Sequence, residues 1–100
     1  MNEDQGTIVT WAIETFGQPK DVKTIVDRFI TEAIELDTKA AKPLINIPDI
    51  QDECADCLIV LYQVAAACGF NLNRAVDYKM QINRARKWEL KGDGTAQHID

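Results

Sequence analysis

Length, composition and charge describe one small acidic domain. The chain has 100 residues, of which 46% are hydrophobic and 27% are charged, and its formal net charge is -5. These values exclude a disordered tail, and the negative charge argues against DNA, RNA or anionic lipid as a partner. No apolar run reaches the roughly 20 residues of a membrane span. We expect residues 1–100 to form a single domain that binds neither nucleic-acid polymers nor membranes.

The three cysteines indicate a reducing compartment. Cys54, Cys57 and Cys68 are an odd number, which does not make a disulfide framework. The chain starts with an acidic segment that lacks the basic region of a secretory signal, so the cytoplasm is the expected location. Cys54 and Cys57 are spaced as zinc ligands often are, but they have no second pair or nearby histidine. Packing inside an apolar helix is therefore favoured over zinc binding.

The first part of the chain predicts two helices, each with an apolar stripe along one face. Thr7 is placed to cap a short helix that Gly17 ends, because the apolar residues between them recur at helical spacing. Pro19 and Asp21 suit the first turn of a second helix, which extends to about Ala41.

The second part predicts two more helices and no strand. Pro48 opens a third helix over about 48–68, and Asn71 caps a fourth that runs to about Lys91. Residues 91–100 show no periodicity and are expected to form an irregular tail. The predicted fold is all-α, an antiparallel bundle of three long helices plus a short N-terminal one. Because a chain of this size leaves little margin for a stable core, we expect oligomerisation to complete the bundle.

Four acidic residues lie at positions that suggest a metal site. Glu32 and Glu35 belong to the second helix, and Glu53 and Asp56 to the third, with each pair spaced i,i+3. At 100° per residue, Glu53 falls inside the apolar arc of its helix, where a carboxylate is costly unless it is paired, protonated or bound to metal. Glu35 with Glu53, and Glu32 with Asp56, share position 44 as their midpoint. An antiparallel hairpin therefore brings the four side chains together.

Converging carboxylates repel one another, so the cluster needs a cation or raised pKa values. Oxygen ligands favour Mg²⁺, with Mn²⁺ as the second candidate. A di-iron bundle needs Glu-x-x-His pairs, and the one histidine, His98, lies beyond the predicted helices. The competing interpretation, a solvated acidic face, fits Asp37, Asp49 and Asp52 better than it fits the four clustered acids.

The fourth helix carries a polar strip of the opposite charge. Lys79, Asn83 and Arg86 are spaced i, i+4 and i+7 and therefore share a face. Such a group can hold phosphate oxygens, and it can equally neutralise the four acids or face solvent. Trp11 and Trp88 both lie off the apolar stripes, where a tryptophan is covered either by a partner chain or by a ligand such as a nucleobase.

Glu-Ala-Ile-Glu at 32–35, followed by Glu-Cys-Ala-Asp at 53–56, forms an ExxE…ExxD pattern. In order and spacing it resembles the signature of the MazG-like all-α nucleoside triphosphate pyrophosphohydrolases. The likeness extends over nearly the whole chain, through Lys79, Met80, Asn83, Arg86, Trp88 and the segment Thr-Trp-Ala…Thr-Phe-Gly at 10–17.

The resemblance implies an enzyme that uses Mg²⁺ to cleave a (deoxy)nucleoside triphosphate between its α- and β-phosphates, giving the monophosphate and pyrophosphate. It also implies a homodimer or homotetramer with active sites built from bundled helices. The implied catalytic and metal-binding residues are Glu32, Glu35, Glu53 and Asp56. The implied substrate-binding residues are Lys79, Asn83, Arg86 and Trp11.

We therefore expect an enzyme of nucleotide-pool control or house-cleaning. Two alternatives stay open: an enzyme specialised for dUTP, dCTP or a purine deoxynucleotide, and a non-catalytic helical oligomerisation module. The position of Glu53 inside an apolar arc argues against the module, which has no use for a carboxylate there. The sequence assigns no base preference, no number of metal ions and no role to His98.

Overall fold

The computed structural model describes residues 2–99 and contains four helices and a short hairpin. The helices are α1 (Gln5–Phe16), α2 (Val22–Ala40), α3 (Ile47–Cys68) and α4 (Leu72–Ala85), and the strands are β1 (Trp88–Leu90) and β2 (Ala96–His98). The predicted four-helix, predominantly helical fold is confirmed. Across the described residues, no single helix is both long and apolar enough to cross a membrane, and only α3 and α4 taken as a bent pair meet that criterion.

Polar caps fix where the helices begin. Asp4 caps α1 by accepting from the backbone N–H of Thr7, whose hydroxyl oxygen accepts in return from the backbone N–H of Asp4. Thr7 is thus the reciprocal partner and not the cap, so α1 begins earlier than its sequence pattern suggests. Asp21, Asn46 and Asn71 cap α2, α3 and α4, each by accepting from a backbone N–H three residues later.

The centre of the fold is the hairpin of α2 and α3, against which α1 packs. Ala12, Ile25, Val60 and Ala65 are its buried apolar residues. Lys39 Nζ lies 3.6 Å from an oxygen of Asp49 across the hairpin, and this ion pair has the same midpoint, 44, as the acidic pairs of the sequence analysis. The predicted register of the two helices is therefore the observed one.

The last helix leaves this bundle at a steep angle. Gly69 ends α3 in the left-handed conformation, with φ of 81°, and the chain bends by 97° between α3 and α4. The side-chain amide of Gln5 holds the bend, since it donates to the carbonyl of Phe70 and accepts from the N–H of Leu72, both at 2.8 Å. No residue of α4 is buried.

The predicted continuation of α4 to Lys91 is wrong, and within the described part of the predicted irregular tail Ala96–His98 form a strand. The helix ends at Ala85, because Arg86 turns to an extended conformation with ψ of 156°. β1 and β2 then pair antiparallel, with Trp88 opposite His98. Gly92 and Gly94 adopt positive φ in the connecting turn, which non-glycine residues rarely do. The two strands are stabilised by hydrogen bonds to each other. Each is only three residues long, which is too short to show a periodic sequence pattern.

The cysteines are less buried than their apolar surroundings in the sequence suggest. Cys54 and Cys68 are exposed, and Cys57 is half-buried. Cys68 is exposed because α3 ends there, at the bend towards α4, where little packs against it.

Candidate functional site

Three carboxylates converge between α2 and α3. Glu32, Glu35 and Glu53 each present an oxygen, and these oxygens all lie within 4.8 Å of one another. The hairpin register places them there, as expected from the shared midpoint. Among residues 2–99 this is the one group of three or more metal-ligating side chains in such proximity.

Glu32 is the buried member of the cluster, with 3% of its surface exposed. One of its oxygens pairs with Arg28, one helical turn earlier on α2. Burial raises the pKa of Glu32, and the Arg28 guanidinium only partly opposes this, while the charges of Glu35 and Asp56 add to it. The other oxygen, Oε2, is buried and has no hydrogen-bond partner within the described part of the chain.

Glu53 is half-buried and faces Glu32 from the neighbouring helix. Burial raises its pKa above the ordinary value of 4.5, and the charge of Glu35 and a hydrogen bond with it raise the pKa further. Its Oε2 is likewise buried without a partner in the described residues. A buried acceptor without a donor is costly, so both residues are expected to gain when a cation or a proton fills the space between them.

These oxygens fit a divalent cation. The donors are all carboxylate oxygens, which is the set that Mg²⁺ and Mn²⁺ prefer. Two of them, one on Glu32 and one on Glu53, lie buried without a hydrogen-bond partner in residues 2–99. The nearby Cys57 lies outside the group of converging ligand atoms, and burial and the adjacent carboxylates raise the pKa of its thiol.

Asp56 stands beside the three glutamates and not among them. It is exposed and lies outside the group whose oxygens approach within 4.8 Å. Its charge nevertheless contributes to the raised pKa values of Glu32 and Glu53, so it lies close to both. The predicted quartet is therefore three converging carboxylates with a fourth at the edge of a cleft.

That cleft opens from the carboxylates towards α1 and has a volume of about 430 Å³. It is lined by Trp11, Phe16, Arg28, Glu32, Asp56, Ile59, Val60 and Gln63. Trp11 and Phe16 meet edge to face, with ring centroids 5.2 Å apart. Trp11, a candidate base-stacking residue in the sequence analysis, thus lies in the same cleft as Glu32 and Asp56.

Arg28, Gln63 and Phe16 line the cleft and were not predicted from the sequence as site residues. Arg28 stands four residues before Glu32, an i,i+4 spacing that signals their ion pair. Gln63 follows Asp56 by seven residues, which places both on one face of α3. Phe16 belongs to the apolar stripe of α1, and no local signal distinguishes it from a core residue.

The basic strip on α4 does not reach the carboxylates of its own chain. Glu53 and the end of α3 are separated by 15 residues, or about 22 Å at 1.5 Å per residue, and α4 then departs almost perpendicularly. No residue of α4 lines the cleft. Lys79, Asn83 and Arg86 are therefore about 20 Å or more from the acidic cluster of the same chain.

Asn83 and Arg86 instead contact the C-terminal hairpin. The guanidinium of Arg86 lies 3.3 Å from Nδ1 of His98, and the indole N–H of Trp88 donates to the carbonyl of Asn83 at 3.0 Å. The rings of Trp88 and His98 meet edge to face at 6.0 Å. Trp88, expected near the end of the fourth helix, thus lies on β1 and ties the hairpin to α4.

This bundle and its carboxylate cluster define a MazG-like all-α fold. The structure resembles the Cyanophage S-2L MazG-like pyrophosphohydrolase bound to dGDP and three catalytic Mn²⁺ ions per active site. The TM-score is 0.75 with 27% sequence identity, over 96% of this chain and 89% of that one.

Residues 5–100 match the dATP/dGTP pyrophosphohydrolase family, and the chain belongs to that family. A dATP/dGTP diphosphohydrolase of Salmonella phage PMBT28 is 38% identical over 81 aligned positions, and the match covers 77% of this chain and 27% of the relative. Another, of Cyanophage S-2L, is 38% identical over 47 residues, 47% of this chain and 45% of the relative. The chain thus spans less than half the length of the curated relatives that it matches.

Proposed function

We propose that this chain hydrolyses dATP and dGTP to the deoxynucleoside monophosphate and pyrophosphate, using Mg²⁺. The observation that carries the proposal is the convergence of Glu32, Glu35 and Glu53, with two buried unpaired oxygens, at the end of a cleft lined by Trp11 and Phe16. The purine substrates are taken from the names of the family and of its phage members.

Glu32, Glu35 and Glu53, with Asp56 beside them, are the residues that would hold Mg²⁺ or Mn²⁺. Such an ion polarises phosphate oxygens and lowers the pKa of bound water. The three Mn²⁺ ions of the Cyanophage S-2L structure support a cation at this place in the fold. A carboxylate of the cluster that is not occupied by metal can accept the proton of the attacking water. Arg28, paired with Glu32, keeps part of the negative charge neutralised before substrate binds.

The cleft beyond the carboxylates suits the nucleoside end of the substrate. Trp11 is 53% exposed, so its ring is accessible to a base that enters the cleft. Aromatic side chains stack on nucleobases, and each such contact contributes about 1–3 kcal/mol. This placement accounts for both the charged and the apolar part of the cleft: the phosphates lie at Glu32 and Asp56, and the base lies near Trp11 and Phe16.

We further propose that the active unit is a homodimer or homotetramer. The chain has an accessible surface of 7672 Å², whereas a monomeric protein of 11.2 kDa typically exposes about 5,700 Å². The excess of about 2,000 Å² is in the range that obligate interfaces bury. Since α4 is remote from its own cluster, Lys79, Asn83 and Arg86 would reach a substrate phosphate held by a second copy.

A panel of ribo- and deoxynucleoside triphosphates with Mg²⁺ tests the activity. We expect dATP and dGTP to be the best substrates, pyrophosphate to be the first product, and an excess of chelator to stop turnover. Orthophosphate as the sole primary product would place the cleavage elsewhere and contradict the proposal. No turnover of any nucleotide would leave the non-catalytic oligomerisation module as the better interpretation.

A further inference from the structure

The cleft has two ends of different chemistry. At one end lie the carboxylates of Glu32 and Asp56, and at the other lie the aromatic rings of Trp11 and Phe16 together with the amide of Gln63. Asp56 and Gln63 share a face of α3 and are about 10 Å apart along its axis. A nucleotide whose phosphates meet the acidic end therefore extends its base towards Gln63.

Stacking on Trp11 and Phe16 does not select a base, because every base offers a π face. Selection needs a hydrogen-bonding group that contacts the edge of the ring. Among the residues that line the cleft, Glu32 and Asp56 are charged and belong to the acidic end, and Arg28 is paired with Glu32. Ile59 and Val60 are apolar. Gln63 is the one uncharged side chain in this lining that can both donate and accept.

The amide of Gln63 is free to change partners. Its Nε2 donates to the carbonyl of Ile59 at 3.5 Å, which is long for a hydrogen bond. That carbonyl is also the regular i−4 acceptor of the Gln63 backbone within α3. Exchanging this weak contact for one with a ligand costs little, because the carbonyl keeps its helical partner.

We propose that Gln63 is the residue that selects purines, by donating a hydrogen bond from Nε2 to the purine N7. This inference rests on the proposed function and adds to it the group that reads the base. Adenine and guanine both carry N7 as an acceptor, and pyrimidines lack it. With adenine the amide oxygen also accepts from the N6 amino group, whereas guanine presents the acceptor O6 there. One glutamine thus accepts both purines and favours adenine.

The test pairs an atomic change in the substrate with a change in the protein. In 7-deaza-dATP a C–H group replaces N7, and in Gln63→Met a thioether of similar length replaces the amide. We expect wild type to lose about tenfold in kcat/KM on 7-deaza-dATP relative to dATP. Gln63→Met should hydrolyse both nucleotides equally, at the lower rate. Gln51→Met, which removes an exposed amide from the same helix, should discriminate as wild type does.

Equal hydrolysis of dATP and 7-deaza-dATP by wild type would overturn the inference and leave the proposed activity standing. Continued discrimination by Gln63→Met would also overturn it, since another group must then contact N7. Gln63→Glu, which keeps the shape and replaces the donor with a charged carboxylate that can only accept, provides a second variant and should lose discrimination too. A wild type that releases no pyrophosphate from any purine deoxynucleotide would instead refute the proposed function. Binding affinities test Gln63 without turnover. Wild type should bind dADP more tightly than 7-deaza-dADP, and Gln63→Met should bind both equally.

Discussion

At the scale of single residues, the decisive feature is a pair of carboxylate oxygens without partners. Glu32 and Glu53 each bury Oε2 with no donor among the described residues, and Glu35 adds a third charge within 4.8 Å. Such an arrangement weakens the fold when no cation is bound, because burial and mutual repulsion both disfavour the ionised forms. The same arrangement places three carboxylate oxygens close enough together to bind a divalent cation.

Replacing Glu53 by glutamine separates its chemical role from its structural one. We expect Glu53→Gln to lower kcat by about a hundredfold or more, since one charged ligand oxygen is lost. Without metal, the melting temperature should equal or exceed that of wild type, because a repulsive charge has been removed. Asp52→Asn, a charge loss at the adjacent exposed position, should leave both measurements unchanged. Turnover at the wild-type rate in Glu53→Gln would show that Glu53 has no role in the active site.

The raised pKa values of Glu32 and Glu53 predict how stability depends on pH. A carboxyl whose pKa is higher in the folded chain stabilises it fully below the unfolded value near 4.5, and this contribution is lost as pH rises through the folded value. In chelator, the melting temperature should therefore fall as pH rises above about 4.5, through the raised pKa values of the two carboxyls. Added Mg²⁺ should stabilise more at the higher pH, where it does not compete with protons. If the melting temperature of Glu53→Gln in chelator fell by the same amount, Glu53 would not contribute to the pH dependence.

At the scale of the elements, the C-terminal hairpin determines how Arg86, the residue that follows the end of α4, is presented. An arginine can only donate, so the contact between Arg86 and His98 requires Nδ1 to be the unprotonated ring nitrogen. His98 is held in turn by the Trp88 ring and by the pairing of β1 with β2. The hairpin therefore restricts the directions in which the Arg86 guanidinium can point.

If Arg86 binds phosphate, its loss should depend on the number of phosphates in the ligand. We expect Arg86→Ala to weaken affinity for dATP by about tenfold and affinity for dAMP much less. His98→Ala should shift KM in the same direction by a smaller factor and should add nothing in the Arg86→Ala background. Gln97→Ala, on the opposite face of β2, is the matched control. Equal losses for dATP and dAMP would refute the phosphate role.

At the scale of the whole molecule, the bundle exposes more surface than a typical monomer of its mass, and several large apolar side chains are part of that surface. Ile30 and Ile34, one turn apart on α2, are 48% and 60% exposed, and α4 has no buried residue at all. Exposed apolar stripes of this kind indicate contact with another chain. In the proposed oligomer, a second copy would cover that surface and bring its basic strip to the carboxylate cluster.

A charge on the α2 stripe tests the assembly. We expect Ile34→Glu to shift the particle mass in light scattering to that of a single chain, with helical circular dichroism retained. Turnover should fall with it, because Lys79 and Arg86 are about 20 Å or more from the cluster of their own chain. Gln51→Glu adds the same charge at an exposed position of α3 and should do neither. A monomeric variant with full activity would show that one chain suffices.

The sequence by itself determined the four helices and the meeting of the acidic residues. Helical periodicity and polar caps depend on neighbours along the chain, and the midpoint shared by Glu35 and Glu53 follows from the short connection between α2 and α3. The ExxE…ExxD signature of the family likewise consists of residues at fixed spacing along the chain. These features are local, so they can be derived from residue order alone.

Only the tertiary structure decided the turn of 97° after α3, the hairpin at Trp88 and His98, and the placement of Phe16 and Gln63 in one cleft. Each of these depends on contacts between residues far apart in the chain, such as those of Gln5 with the residues at the start of α4. The angle between two helices and the pairing of two three-residue strands have no periodic signal of their own. Their geometry is set by the packing and hydrogen bonds that form once the elements meet.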